Sequence, residues 1–284
     1  MTESETIPQN TVIIFHADCR DGCGAAWAAW KKFGERAAYI PRKTQLPPPE
    51  GLARKEIYIL DYSYAKDTLA ELAERNRSVI VIDHHETARE AVTAFPQNVF
   101  DLAHSGAVLT WTHFHPNTPV PKLLIYIEEH DLWKDTLPQS KEIAAALGDY
   151  PLTFAAFDEL ARLFEDKAGF ARLAEKGALL REYIDTQVSR LAATASFSEF
   201  EGRRVPTVNY AGPYRSLLGN ALATMHPPMA IIWFYEDGLF HVSLRSVGEC
   251  DVGTLAAKYG GGGHRNAAGF KCARWEDLPF HFEQ

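Results

Sequence analysis

The sequence has few cysteines and lacks a long apolar run, and these two features argue against a disulfide-rich protein and a membrane-spanning protein. Four cysteines in 284 residues, at positions 19, 23, 250 and 272, are too few and too scattered for a disulfide framework, so we expect reduced thiols. No stretch approaches the roughly 18 uninterrupted apolar residues of a membrane span. The opening residues MTESETIPQN have neither the basic nor the apolar region of a signal peptide. We therefore expect a cytoplasmic protein with no membrane partner.

Two common enzyme motifs are also missing. No G-x-x-x-x-G-K-[ST] motif occurs, so the glycines do not indicate ATP binding by a P-loop. No G-x-S-x-G motif occurs, so a serine hydrolase has no support. Cys19 and Cys23 form a C-x3-C pair with no second close pair, which does not favour a zinc site.

An excess of positive charge is absent as well. The chain has 29 lysines and arginines against 37 aspartates and glutamates, a formal net charge of −8, which argues against a protein that coats long duplex DNA. Residues 190–284 contain nine residues of each sign, which leaves 20 basic against 28 acidic residues in residues 1–189. An acidic half that acts on an anionic substrate needs bound cations, although a solvated acidic surface explains the same charge.

Strand and helix patterns alternate along the first part of the chain. Apolar runs in TVIIFH, AAYIPR, EIYILDYS and SVIVIDHH predict strands, and CGAAWAAWKKFG and KDTLAELAERN predict helices between them. Such alternation favours a mostly parallel sheet covered by helices. A helical region continues to about residue 195, and several strands follow, with a hairpin signal at EDG. The predicted fold is α/β, with a mostly parallel N-terminal sheet, a long helical connector and a smaller α/β C-terminal domain.

Three of the apolar strands end in aspartate or histidine. In an open α/β sheet, ligands bind beyond the carboxyl ends of the strands, so these side chains should converge. Clusters of carboxylates and imidazoles suit divalent ions such as Mn²⁺, and a pair of such ions is the usual apparatus of phosphoester hydrolysis. Each aspartate alone could instead be a helix cap or turn residue. The converging residues are His16, Asp18, Asp21, Asp61, Asp83, His84 and His85, and Asp131 follows a further apolar run.

These motifs resemble those of a known family. VIDHHE is similar to the signature of the DHH phosphoesterases, and KYGGGGHRNAAGF resembles the glycine-rich motif of their DHH-associated C-terminal domain. The order of FHADCRDGCGAA, ILDYS, the Asp-His-His triplet, EHDLW and the glycine-rich motif also matches, over about residues 11–272. The resemblance implies a catalytic metal-binding DHH domain over residues 1–165, a helical linker over 166–195 and a substrate-binding DHH-associated domain over 196–284.

The resemblance also implies roles for individual residues. Asp61 would bridge two metal ions, and His85 would lie by the scissile phosphate or support the ligands. Relatives commonly have an Asp-x-Asp pair after the first histidine, but here Cys19 stands two residues before Asp21 and Asp18 is displaced by one. Either Asp18 is a ligand, or the site relies on water or Cys19. The implied ligands are His16, Asp18, Asp21, Asp61, Asp83, His84 and Asp131, and the implied catalytic residues are Asp83, His84 and His85.

Two other segments are candidates for binding anions. The glycines at 260–263 would let backbone N–H groups approach a phosphate, with His264 and Arg265 adding charge-assisted hydrogen bonds. Arg245 is a second candidate for binding phosphate. The segment HSGA at 104–107 favours either a helix cap at Ser105 or a helix N-terminus directed at an anion. The predicted substrate-binding residues are Arg245, Gly261, Gly262, Gly263, His264 and Arg265.

The sequence thus predicts a phosphoesterase that activates water with two Mn²⁺ ions, with Mg²⁺ and Co²⁺ as alternative metals. The acidic balance favours a short oligonucleotide, a dinucleotide or a nucleoside bisphosphate as substrate over long duplex DNA. A single-strand-specific exonuclease and a non-catalytic nucleotide sensor with a degenerate metal site are the alternative functions. The oligomeric state stays open, with a homodimer among the alternatives.

Overall fold

A computed structural model of the chain describes residues 7–43 and 46–282. The chain divides into two compact units, Met1–Arg181 and Glu182–Gln284. The division lies within one long helix, which the sequence pattern places in the connector over 166–195.

The first unit is built on a five-stranded sheet in which every neighbouring pair is parallel. The strand order is β2-β1-β3-β4-β5. Val12, Ile13 and Ile14 of β1 are fully buried, which is expected where helices cover both faces of a parallel sheet. The strands are β1 (Thr11–His16), β2 (Ala37–Arg42), β3 (Glu56–Leu60), β4 (Ser78–Asp83) and β5 (Asn98–Phe100).

Eight helices accompany this sheet within the described residues. α1 packs its alanines and Trp27 against α4, where the Trp27 and Trp111 rings stack with centroids 5.7 Å apart. The helices are α1 (Arg20–Phe33), α2 (Lys66–Arg75), α3 (Arg89–Thr93), α4 (Gly106–Phe114), α5 (Lys122–Asp131), α6 (Ser140–Leu147), α7 (Phe154–Glu165) and the long α8 (Lys167–Ala192). Short 3-10 turns occur at Gly34–Arg36 and Glu86–Ala88.

The second unit contains a seven-stranded mixed sheet with the order β10-β11-β9-β8-β7-β6-β12. β7 and β8 are parallel, and the other neighbouring pairs are antiparallel. The strands are β6 (Ser196–Phe200), β7 (Arg203–Asn209), β8 (Met229–Glu236), β9 (Leu239–Ser246), β10 (Gly262–His264), β11 (Ala267–Cys272) and β12 (Phe280–Phe282); the helices are α9 (Arg215–Met225) and α10 (Val252–Lys258), with a 3-10 turn at Trp275–Asp277.

The hairpin predicted at EDG joins β8 to β9. Asp237 and Gly238 both have positive φ, 52° and 79°, and Glu236 pairs with Leu239, which is the geometry of a two-residue turn that matches strand twist. The predicted fold class is confirmed, because a parallel sheet, a long helix and a second sheet in a smaller unit follow one another along the chain. None of the described helices combines the length and the apolar character needed to cross a membrane.

Candidate metal centre

The carboxyl ends of three adjacent strands bring polar side chains together in the first unit. His16 ends β1, Asp61 follows β3, and Asp83 ends β4. The loop after β3 is fixed to β4, because the Asp61 N–H donates to the Ile82 carbonyl over 2.9 Å. Neighbouring parallel strands thus deliver three ligand-type residues to one edge of the sheet.

Asp61 lies at the centre of the cluster. Its carboxylate is 1% exposed, with His16 Nδ1 3.3 Å from one oxygen and His84 Nε2 3.2 Å from the other. Its φ of 61° turns the chain sharply at the strand end. Three ligand groups, each with donor atoms within 4.8 Å of one another, share this residue: His16, Cys19 and Asp61; Asp21, Asp61 and His84; and Asp61, Asp83 and His85.

His84 connects Asp61 to two further carboxylates. Its Nε2 lies 3.6 Å from Oδ2 of Asp21 and 3.5 Å from Oδ2 of Asp131. Asp21 is in the first turn of α1, and Asp131 is the last residue of α5. Two helices that are distant in the sequence, α1 and α5, therefore add carboxylates to the cluster that the strands begin.

The two carboxylate oxygens of Asp83 have different surroundings. Oδ1 accepts the backbone N–H of His84 at 2.8 Å and of His85 at 3.3 Å, and His85 Nδ1 lies 2.7 Å from it. Oδ2 is buried and has no hydrogen-bond partner among residues 7–43 and 46–282. A buried carboxylate oxygen without a donor is costly unless a cation binds it.

The N-terminus of α4 holds the carboxylate of Asp21. The backbone N–H groups of Gly106 and Ala107 donate to its oxygens over 2.6 and 3.0 Å. The Ser105 hydroxyl also accepts the N–H of Val108 over 3.4 Å and caps the helix. Both interpretations of HSGA hold at once, since the helix is capped by serine and its N-terminus binds a side-chain anion.

The concentration of negative charge shifts several pKa values. Burial and the nearby Asp61 raise the pKa of Asp131 to about 6. Burial, Asp61 and Asp131 raise the pKa of Asp21 well above its usual range. Burial opposes ionisation of Asp61, but hydrogen bonds from His16 and His84 outweigh it and lower the pKa of Asp61. Carboxylates crowded in this way gain from a bound cation.

These residues fit divalent metal ions. The donor set is carboxylate and imidazole, which suits hard and borderline divalent ions, and the unsatisfied Oδ2 of Asp83 faces no competing donor among the described residues. The cluster therefore has the composition and the electrostatics of a metal-binding site.

The family match to known proteins lies within the second of the two units. Residues 211–282 match the DHHA1 domain family, and the Asp-His-His triplet lies in the candidate metal-binding cluster of the first unit. The match is consistent with a DHH phosphoesterase. The second unit of the chain therefore contains a DHHA1 domain, as the glycine-rich motif predicts.

Two relatives and one solved structure are similar to most of the chain. Uncharacterized protein R106 of Acanthamoeba polyphaga mimivirus is 29% identical over 288 residues, which cover 92% of this chain and 67% of R106. Oligoribonuclease NrnB of Bacillus subtilis (strain 168) is 24% identical over 221 residues, which cover 72% of this chain and 55% of NrnB. The chain thus spans between about half and two thirds of the length of these relatives. The solved structure of a DHH domain from a member of a family of ribosomal proteins shares the fold, with a TM-score of 0.53, 13% identity, and coverage of 96% of this chain and 83% of that one.

Asp18 is the predicted ligand that the structure places outside the cluster. Its φ is 57°, and its exposed carboxylate pairs with Lys43 Nζ at 3.1 Å. Cys19 instead belongs to the group with His16 and Asp61. Of the alternatives that the sequence leaves open, the geometry favours Cys19 or water in this place. Burial and the neighbouring carboxylates raise the pKa of the Cys19 thiol in the absence of a cation.

Two glycines and one glutamate shape the site without being prominent in the sequence. A Cβ on Gly22 would lie 2.2 Å from the His16 carbonyl oxygen, and one on Gly106 would lie 2.7 Å from Cβ of Asp61. Glu128 accepts the N–H of Ser105 over 2.9 Å and the Lys134 ammonium over 2.8 Å, so it anchors the loop before α4. The close approach at each glycine is visible only once the elements are packed.

The glycine-rich segment of the DHHA1 domain is largely a strand. Gly262–His264 forms β10 and pairs with β11, and a Cβ on Gly261 would lie 2.0 Å from the Gly269 carbonyl oxygen. Tight packing against β11 therefore accounts for glycine at positions 261 and 263 without a ligand. Arg265 donates to Glu249 over 2.5 Å. The predicted role of Gly261–Gly263, His264 and Arg265 in binding substrate stays a prediction.

Proposed function

We propose that the chain is a metal-dependent phosphoesterase that hydrolyses phosphoester bonds in short oligonucleotides or small nucleotides. The observation that carries the proposal is the buried cluster around Asp61, in which three ligand groups share one carboxylate. The DHH family is a family of phosphoesterases, and one relative is named as an oligoribonuclease.

Two divalent ions, with Mn²⁺ preferred and Mg²⁺ or Co²⁺ as alternatives, would occupy the cluster. Asp61 is the candidate bridge because it belongs to all three groups. When bound, such ions lower the pKa of coordinated water and neutralise charge on the phosphoryl oxygens. The residues assigned to hold them are His16, Asp21, Asp61, Asp83, His84 and Asp131, with Cys19 or water in the place first assigned to Asp18.

The protein's own contribution is to fix the ligands before substrate arrives. Asp21 is held by the N-terminus of α4, and Asp83 by two backbone N–H groups. His85 is held by Asp83, so we assign it to contact the phosphate or to keep Asp83 oriented. Ligands preorganised in this way need not rearrange during the reaction.

The negative charge of the first part of the chain and the similarity to an oligoribonuclease both support a short substrate. The acidic first part of the chain disfavours binding of long polyanions along its surface. The alternative of a single-strand exonuclease differs only in the length of strand that is accepted. A non-catalytic sensor is disfavoured, because the cluster keeps its histidines and buried carboxylates although Asp18 lies outside it.

The test is hydrolysis by the purified chain with Mn²⁺ of a defined substrate panel: RNA and DNA oligomers of two to about ten nucleotides, cyclic dinucleotides, adenosine bisphosphate and polyphosphate. We expect turnover of the shortest oligomers or nucleotides, inhibition by chelator, and loss of turnover in Asp61→Asn. Asp67→Asn, which changes an exposed acid on α2, is the matched control and should keep full activity. If only polyphosphate is hydrolysed, the assignment of a nucleotide substrate is wrong. If no substrate in the panel is hydrolysed, the proposal that the chain is an enzyme is wrong.

A further inference from the structure

Trp133 is a large aromatic residue of the first unit that the fold leaves exposed. It is 39% exposed and belongs to none of the hydrophobic clusters that the described residues form. Its ring lies 6.1 Å from that of His130, measured between centroids. By contrast, Trp27, Trp30 and Trp111 pack in the core of the same unit. Burial in the core therefore does not explain the tryptophan at this position.

The backbone of Trp133 is in the left-handed region, with a φ of 52°. The helix α5 ends at Asp131, and Leu132 is its C-cap. The Lys134 N–H then donates to the Glu129 carbonyl over 2.9 Å, which is the long-range hydrogen bond of a Schellman motif. In this motif the residue after the C-cap is usually glycine, because a side chain in the left-handed region costs free energy. The sequence therefore places an indole ring where the local fold favours glycine.

Two buried glutamates hold the loop that carries Trp133. Glu129 accepts the backbone N–H of Thr136 over 2.6 Å and the hydroxyl of the same residue over 3.0 Å. Glu128 accepts the ammonium group of Lys134 over 2.8 Å. An aromatic ring on a backbone that is already fixed loses little conformational freedom when a ligand binds to it. The loop thus presents the indole ring in a form suited to binding.

Trp133 also lies close to the candidate metal centre along the chain. Asp131 Oδ2 is 3.5 Å from His84 Nε2 within the cluster, and Trp133 follows Asp131 by two residues. Two residues of chain span at most about 7 Å. A nucleotide whose phosphate lies at the cluster therefore has the indole ring within reach of its base.

We propose that Trp133 is a stacking platform for the nucleobase of a substrate whose phosphate lies at the candidate metal centre. Every nucleobase has a π-face, so stacking on an aromatic side chain binds bases with little preference among them. The ring therefore favours a nucleotide substrate over polyphosphate, which has no base. This inference rests on the proposed function, because it takes the ligand of the cluster to be a nucleotide.

The test compares the binding of adenosine 5′-monophosphate (AMP) with that of ribose 5-phosphate, which lacks the base, to the full-length chain in buffer with Mn²⁺, measured by calorimetry. Trp133→Gly should bind AMP at least about fivefold more weakly than the wild type, because stacking is lost, and should bind ribose 5-phosphate normally. It should unfold at no lower denaturant concentration, since glycine suits a positive φ. Trp133→Phe keeps an aromatic face and should retain most of the affinity for AMP.

Gln139→Gly is the matched control. Gln139 is a second exposed residue of the same loop with a positive φ, 60°, and its replacement should change the binding of neither compound. Equal AMP affinity of Trp133→Gly and the wild type would overturn the proposal, and so would a loss of affinity that is equal for AMP and ribose 5-phosphate.

The titration needs no turnover, so it is decided separately from the proposed function. If no substrate in the panel is hydrolysed but Trp133→Gly loses affinity for AMP alone, the base site stands and the proposal of an enzyme fails. If nucleotides are hydrolysed and the wild type binds AMP no more tightly than ribose 5-phosphate, the enzyme stands and the base site is wrong.

Discussion

Gly106 donates its backbone N–H to Oδ2 of Asp21 over 2.6 Å, so the start of α4 holds a carboxylate of the candidate metal centre. The same glycine lies against Asp61, where an added Cβ would be 2.7 Å from both Cβ and Oδ1. One residue without a side chain thus lets a helix terminus, a helix carboxylate and a strand-end carboxylate meet.

Replacing Gly106 with alanine should therefore damage the metal centre. We expect the added methyl group to displace Asp61, with a loss of about 1–3 kcal/mol in the free energy of unfolding from overpacking and at least about tenfold weaker Mn²⁺ binding. Thr112→Ala, at an exposed position of the same helix, should change neither quantity. Calorimetric Mn²⁺ titration and denaturant unfolding of both variants provide the comparison, and normal metal affinity in Gly106→Ala would show that the close contact is unimportant.

Asp83→Ala should abolish hydrolysis and lower the bound metal content while cooperative unfolding is retained. The variant removes the unsatisfied Oδ2 and also the acceptor for the N–H groups of His84 and His85, so we expect a stability loss of about 1–3 kcal/mol. Metal analysis after dialysis and thermal unfolding measure the two effects. A non-cooperative transition would make Asp83 primarily a structural residue.

The exposed position of Asp18 leads to a prediction about which residue, Asp18 or Cys19, contributes more to metal binding. Cys19→Ala should weaken metal binding more than Asp18→Ala, because the Cys19 sulfur lies within the group that contains His16 and Asp61, whereas Asp18 pairs with Lys43. Co²⁺ titration followed by absorption spectroscopy gives the affinities, and a thiolate–cobalt charge-transfer band would identify sulfur as the ligand. A larger effect of Asp18→Ala would mean that Asp18 swings into the cluster when metal binds.

Metal should also stabilise the fold of the first unit. Burial and repulsion between carboxylates raise the pKa values of Asp21 and Asp131, and a bound cation offsets both effects. A ligand at 100 times its Kd adds about 2.7 kcal/mol to the free energy of unfolding. Saturating Mn²⁺ should therefore raise the Tm of the wild type and leave that of Asp61→Asn nearly unchanged. An equal rise in both proteins would locate the bound metal elsewhere.

Much of the first unit could be predicted from residue order alone. Asp61 follows one apolar strand and Asp83 ends the next, and parallel strands align their carboxyl ends, so the convergence of these two residues follows from the pattern. The cap at Ser105 is likewise local, since it depends on a serine just before a helix.

The rest depends on packing that no local pattern contains. Asp18 has a φ of 57° and pairs with Lys43, whereas Cys19 lies with His16 and Asp61, and the residue order does not show which of the two faces His16. The steric need for glycine at 22 and 106 arises from contacts between separate elements. In the DHHA1 domain, the pairing of Gly262–His264 with β11 is likewise visible only in the structure, while the predicted role of this segment in binding phosphate stays a prediction.

The central claim is that the cluster around Asp61 binds the metal on which phosphoester hydrolysis depends. The most direct test measures Mn²⁺ content and turnover of a 5′-phosphorylated RNA dinucleotide on the same samples of wild type, Asp61→Asn and Asp67→Asn. We predict that wild type and Asp67→Asn bind Mn²⁺ and hydrolyse the substrate, and that Asp61→Asn does neither. Undiminished turnover by Asp61→Asn, or by the wild type in excess chelator, would contradict the claim.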